Sequence, residues 1–145
     1  MDGATAPRLD PAAWQQVLDR HAALFEILEP GSAAALIAKP DWDAQSGQML
    51  EWRMAGSGSG GGIKAALQPW AGAGKAEVDL LFVGLRDSFA RLESCPPEGR
   101  FSLLKDLLHE GEVLFYVMKT KCKLIDAGWE DFLDQLGLAF MGACR

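Results

Sequence analysis

The chain has 145 residues, 49% of them hydrophobic and 23% charged, with a formal net charge of −6 at pH 7. A chain of this length buries about 68–70% of its unfolded surface without metal or disulfide staples, and its apolar content is far from that of disordered segments, so one folded domain over 1–145 is expected. The acidic balance disfavours phosphate backbones and anionic bilayers, which points away from nucleic acid and membrane surfaces as partners.

Cys95, Cys122 and Cys144 are an odd, widely spaced set with no Cys-x-x-Cys pair. Neither a disulfide framework nor a zinc site takes that form, and a reducing, cytoplasmic setting fits it. The start of the chain lacks a basic region followed by an apolar core, and its second residue is Asp, so neither a signal peptide nor myristoylation is indicated. No window reaches the roughly 18 uninterrupted apolar residues of a membrane span.

Residues 1–9 read as a loose arm. Asp10 and Pro11 then supply an N-cap acceptor and a first-turn ring whose missing N–H is not needed. Trp14, Val17, Leu18, His21, Leu24, Phe25 and Leu28 follow at helical spacing until Glu29, Pro30 and Gly31 stop the run. His21 lies on the apolar face of this first helix. As a general base it needs a partner at ligand or relay spacing, and none is present, so a hydrogen-bonded core or border histidine is expected.

Two short apolar runs come next, Ala33–Ala38 and Gln48–Met54, and a small antiparallel β-hairpin over about 33–54 is the favoured reading, with a helix as the alternative for the alanine-rich first run. In the second run Leu50, Trp52 and Met54 alternate with Glu51 and Arg53, the pattern of a half-buried strand. The loop between them carries Asp41, Asp43, Gln45 and Gly47 and approaches a calcium loop, but the Gly and the bidentate acid fall out of frame, so no metal site is expected.

Residues 55–62, AGSGSGGG, satisfy G-x-G-x-x-G by composition. Lys64 follows Ile63 and precedes Ala65, so the Gly-Lys-Ser/Thr context of a phosphate loop is missing, and no cofactor is expected. A flexible loop, or even an engineered linker, is the expected reading. Ile63–Trp70 is short and ambiguous, ending at Pro69.

Glu77 to Leu92 is read as the central amphipathic helix, with Val78, Leu81, Phe82, Leu85, Phe89 and Leu92 on one face. Gly84 costs a mid-helix position about 1 kcal/mol, and close approach of a neighbouring backbone is the expected return. After the break at Pro96 and Pro97, residues 102–125 hold helical spacing and are read as one long helix, with a helix ending near Gly111 and a following strand as the alternative. Trp129, Phe132, Leu133, Leu136 and Phe140 make a final amphipathic helix. The expected fold is therefore α+β and helix-rich: one small hairpin packed with four or so amphipathic helices.

No catalytic constellation stands out. His21 and His109 are the two histidines, no Gly-x-Ser-x-Gly elbow or His-Glu-x-x-His pair accompanies them, and a small enzyme built on either is the minority reading. Five tryptophans are many for this length, and Trp42 and Trp70 sit in or beside expected loops. Tryptophan in such places caps a core or anchors a contact. The favoured expectation is a non-enzymatic interaction module or assembly subunit that binds another protein, or itself as a homo-oligomer. Apolar helix faces and the residues Trp42, Trp70, Trp129 and Phe132 would make the contact. A secretion-chaperone-like or toxin-neutralising protein is compatible with the same features.

Overall fold

The computed structural model describes residues 9–55 and 62–138. Their strands are β1 (Ala33–Ala38), β2 (Gly47–Ala55), β3 (Gly62–Trp70), β4 (Leu80–Gly84) and β5 (Val113–Val117). The helices are α1 (Pro11–Arg20), α2 (Lys39–Ala44), α3 (Ser88–Ser94), α4 (Arg100–Glu110), α5 (Lys121–Ala127) and α6 (Glu130–Gln135). The strands form one mixed sheet in the order β3-β2-β1-β4-β5. β1 and β4 run parallel at its centre, and the other neighbours are antiparallel.

This corrects the expected small hairpin with helices: among the described residues the fold is α+β around a five-stranded mixed sheet with six helices. The largest change is at Glu77 to Leu92, which is not one helix. Leu80–Gly84 is a central strand buried on both faces. A strand of that kind reads as an unbroken apolar run, and such a run satisfies a 3.6-residue period as readily as a 2-residue one. Arg86 then turns the chain in the left-handed region (φ 49°) before α3 begins. Residues 102–125 divide in the same way. α4 ends at Gly111 (φ 78°), whose N–H closes the last turn, and β5 follows before α5.

Smaller corrections follow the same logic. The first helix stops at Arg20, and Ala22–Leu24 is a tight 3₁₀ turn. The Asp41 to Ala44 part of the expected loop is helical, and the ambiguous Ile63–Trp70 is strand. Leu9, placed in the loose arm, is buried. Residues 1–8, the glycines from Gly56 to Gly61, Phe140 and Cys144 lie outside the described residues.

Side chains alternate across the sheet. Ala34, Leu36, Leu50, Trp52, Leu80 and Phe82 face the larger core, with α1, α3, α4 and α6 packed over them. Trp52 is fully buried there, its ring 5.4 Å from Trp14, 5.7 Å from Phe101 and from Phe132, and 6.3 Å from Phe82. Below α1 a polar joint ties three helices. The Glu93 carboxylate accepts from Trp14 Nε1 at 2.6 Å, from the Asp10 N–H at 3.2 Å and from Arg100 Nη1 at 3.3 Å. Arg100, 3% exposed, lies over the Trp14 ring. A charge buried so deeply persists because it is paired and hydrogen-bonded.

Gly84 does meet a close neighbour, but the neighbour is a side chain. A Cβ there would lie 2.5 Å from Phe89 Cε1, so the phenyl ring of α3 packs directly on the β4 backbone. Gly84→Ala must therefore push that ring out of the core. Overpacking of this sort costs about 1–3 kcal/mol. Urea denaturation should show a lower midpoint with an unchanged slope, and a variant as stable as the parent would contradict the placement of Phe89.

Candidate functional site

The second face of the sheet carries the less ordinary chemistry. Ala33, Ala35, Ile37, Met49 and Leu81 point to it, and the chain between β3 and β4 crosses over them, burying Val78. Beneath this crossover lies Glu51, 7% exposed, paired with Arg53 two residues along β2. Arg53 donates Nε to Glu51 Oε1 at 3.0 Å and Nη2 to Oε2 at 2.9 Å. Its remaining reach goes to backbone, Nη1 to Gly31 O and Nη2 to Glu77 O, both at 2.9 Å. The hydrogen bond to Glu51 raises the Arg53 pKa above its ordinary value. Burial opposes the rise, and the charges of Glu51, Glu77 and Asp79 add to it. Four of the five guanidinium N–H groups are thus used within the fold. The pair therefore clamps the crossover to the sheet, and Arg53 keeps one N–H to offer the cleft of about 200 Å³ beside it, which Trp70 and Lys75 border.

The other half of this face is covered by aromatic rings. Trp42 on α2 stacks on Trp70 of β3 (centroids 5.9 Å apart, planes 23°) and on Tyr116 of β5 (4.8 Å, 16°). Trp70 Nε1 donates to Asp41 O at 3.0 Å, which fixes the start of α2 against β3. The stack spans the width of the sheet from one outer strand to the other. It ends at Tyr116, which is 36% exposed.

The two outer strands are treated differently. Along β3 the Gln15 side chain imitates a neighbouring strand: its Nε2 donates to Ile63 O at 3.0 Å and its Oε1 accepts the Ala65 N–H at 2.8 Å. Pro69 removes one further donor from the same strand. β5 has no such cover among the described residues. Leu85 N–H donates to Glu112 O, and Met118 N–H to Asp79 O. With the register Leu81↔Tyr116 and Phe82↔Phe115, these bonds turn the backbone of the even-numbered residues of β5 toward β4 and that of Phe115 and Val117 outward. Among the described residues no strand pairs with that edge. Ile27, Leu67, Tyr116 and Val117 are the exposed large apolar side chains described, and two of the four are adjacent on β5.

The expected contact residues fall in different places. Trp42 and Trp70 do come together, with Trp42 half-buried and Trp70 only 2% exposed. Trp129 and Phe132 are fully buried, and Trp129 Nε1 donates to Asp79 Oδ2, so neither ring offers a surface. His21 places Nδ1 2.9 Å from Val17 O and packs on Phe101, while His109 is exposed in the last turn of α4. Asp43 pairs with Lys39, and Asp41 Oδ2 accepts from the Gln48 N–H. No group of three or more His, Cys, Asp or Glu side chains suited to a metal ion occurs among the described residues. Cys122 is disulfide-bonded, contrary to the fully reduced set that the spacing suggests. Sequence reasoning does not single out Tyr116. The signal that marks it is the short run Val-Leu-Phe-Tyr-Val after a helix-ending Gly, read with period 2 instead of 3.6.

No family model matches the chain, and no curated protein matches it. A solved structure that aligns with it is the solution structure of a conserved hypothetical protein from Thermus thermophilus, described as a possible sterol carrier protein. The two are 16% identical, with 97% of this chain and 96% of that chain covered, and the TM-score is 0.42. So loose a superposition says nothing about what this chain binds. No helix among the described residues is long and apolar enough to cross a membrane.

Removing Arg53 leaves the Glu51 carboxylate under the crossover without its partner. Arg53→Met should cost about 1–3 kcal/mol, the penalty for an unsatisfied buried acceptor. Glu51→Met combined with Arg53→Met should recover most of that loss, because replacing both partners removes the orphaned charge. Urea midpoints of the three proteins measure this, and a single variant as stable as the parent would contradict the clamp.

Proposed function

We propose that the chain is a protein-binding subunit with no chemistry of its own, and that its contact surface is the free edge of β5 with the outer faces of Tyr116 and Trp42. One observation carries this reading. Tyr116 and Val117 are exposed on a strand whose outward backbone groups pair with no other strand among the described residues, while on the opposite outer strand Gln15 takes up the Ile63 C=O and the Ala65 N–H. An edge of this kind accepts an added strand: the backbone supplies affinity and the neighbouring side chains supply selection. The amphipathic helices, first expected to make the contact, turn their apolar faces into the core, which favours the β5 edge over a helix face as the contact.

A lysine on an edge strand is a guard against strand addition. Val117→Lys should therefore lower capture of a protein partner from a native-source extract by about tenfold, a change of ~1.4 kcal/mol. Ile27→Lys, at the most exposed large apolar residue away from β5, should leave capture unchanged. Equal losses in both variants, or none in Val117→Lys, would contradict the reading.

A further inference from the structure

We infer that the occupant of the β5 edge is a second copy of this chain, paired antiparallel about a two-fold axis at Tyr116 so that the two three-ring stacks join into one. This rests on the reading of the β5 edge as a contact surface and adds the identity of what it contacts.

One observation, the open ring stack, points to a second copy over an unrelated strand, and two more set the register. The stack Trp70–Trp42–Tyr116 is closed at one end, where Trp70 is 2% exposed, and open at the other, where Tyr116 is 36% exposed at the sheet edge. A two-fold axis at Tyr116 sets that open ring beside its own image and completes the covering of both. Backbone parity agrees. The outward N–H and C=O groups belong to Phe115 and Val117, and a two-fold axis at Tyr116 places Phe115 of one copy opposite Val117 of the other, donor to acceptor in both directions. Exposure agrees as well. Val113 is 2% exposed and closes the beginning of the strand, so a register centred on Phe115, which would pair Val113 with Val117, meets a covered residue, whereas the Tyr116 register uses the open stretch. In this arrangement Val117, 49% exposed in one copy, packs on the half-buried Phe115 of the other. The β3 edge does not compete, because Gln15 already occupies its Ile63 and Ala65 backbone groups.

Such an interface is self-complementary, as a two-fold contact must be. It also joins two five-stranded sheets into one continuous sheet and leaves β3 as the guarded edge at each end.

Size-exclusion chromatography with light scattering on the purified chain should give twice the monomer's molar mass. Val117→Lys and Tyr116→Lys, the latter placing like charges at the axis, should give the monomer mass, while Tyr116→Phe should keep the doubled mass. The register is read by cross-linking. Residues facing each other in a non-hydrogen-bonded pair have Cα atoms about 4.5 Å apart, within the span of a disulfide. Tyr116→Cys should therefore form an intermolecular disulfide under mild oxidation above the parent's own background, and Leu67→Cys should not. A parent at monomer mass overturns the inference, and so does a doubled mass that survives Val117→Lys. Preferential cross-linking of Val117→Cys over Tyr116→Cys overturns the register. A monomeric parent whose partner capture is still lost in Val117→Lys would overturn the second copy alone and leave the contact-surface reading standing, whereas capture unaffected by Val117→Lys would overturn that reading.

Discussion

The parallel pairing of β1 with β4 is the constraint on which the rest of the structure depends. Both strands are covered on both faces, so their residues must be small or apolar throughout: Ala-Ala-Ala-Leu-Ile in one and Leu-Leu-Phe-Val in the other. Parallel neighbours cannot be joined by a tight turn, and here the connection takes α2, the β2–β3 hairpin and the crossover of residues 71–79. Everything on the second face follows from that detour. α2 carries Trp42 over the sheet, and the crossover lies above Glu51, where Arg53 holds it by the carbonyl of Glu77 and ties it to the carbonyl of Gly31 ahead of β1.

The two faces are stabilised by different means. The helical face is filled by large rings around Trp52, and its few polar groups are gathered into the Glu93–Arg100 joint. The other face has little volume to fill, since Ala33 and Ala35 stand at its centre, and flat rings lying parallel to one another suit such a shallow surface. A stack that runs across the strands must end at an edge. At β3 it ends in the bond from Trp70 to Asp41, and at β5 it ends in Tyr116, open to solvent. The same geometry that covers the sheet therefore generates an aromatic contact point at an outer strand.

Much of this was legible in the residues, and where it was not, the cause was physical. Asp10 and Pro11 mark the start of α1, with Asp10 accepting from the Ala12 N–H, and the alternation of Leu50 to Met54 marks β2. The strands at 33–38 and 49–54 do pair antiparallel, as Leu36↔Leu50 and Ala34↔Trp52. What misled was burial on both sides. Leu80 to Val83 have no polar face, so periodicity alone cannot separate a central strand from a buried helix, and the neighbouring Val78, Leu85 and Phe89 complete a helical stripe by coincidence. Gly111 carried the information that residues 102–125 divide, but a mid-helix Gly and a C-terminal Gly differ only in φ, which the sequence does not print. The candidate site was half visible. An indole in a polar loop flagged Trp42 and Trp70, whereas Tyr116 becomes notable only once β5 is known to be an outer strand, which is a property of topology.

Residue-resolved amide hydrogen exchange on the dilute protein tests the central pairing most directly. The account predicts that Leu36 and Ile37 in β1 and Leu81 to Val83 in β4 are the slowest amides, exchanging only through global unfolding. Amides of Leu81 to Val83 that exchange as fast as those of the exposed Arg86 and Asp87 would contradict it, as would uniform protection running from Glu77 through Leu92 as in a continuous helix.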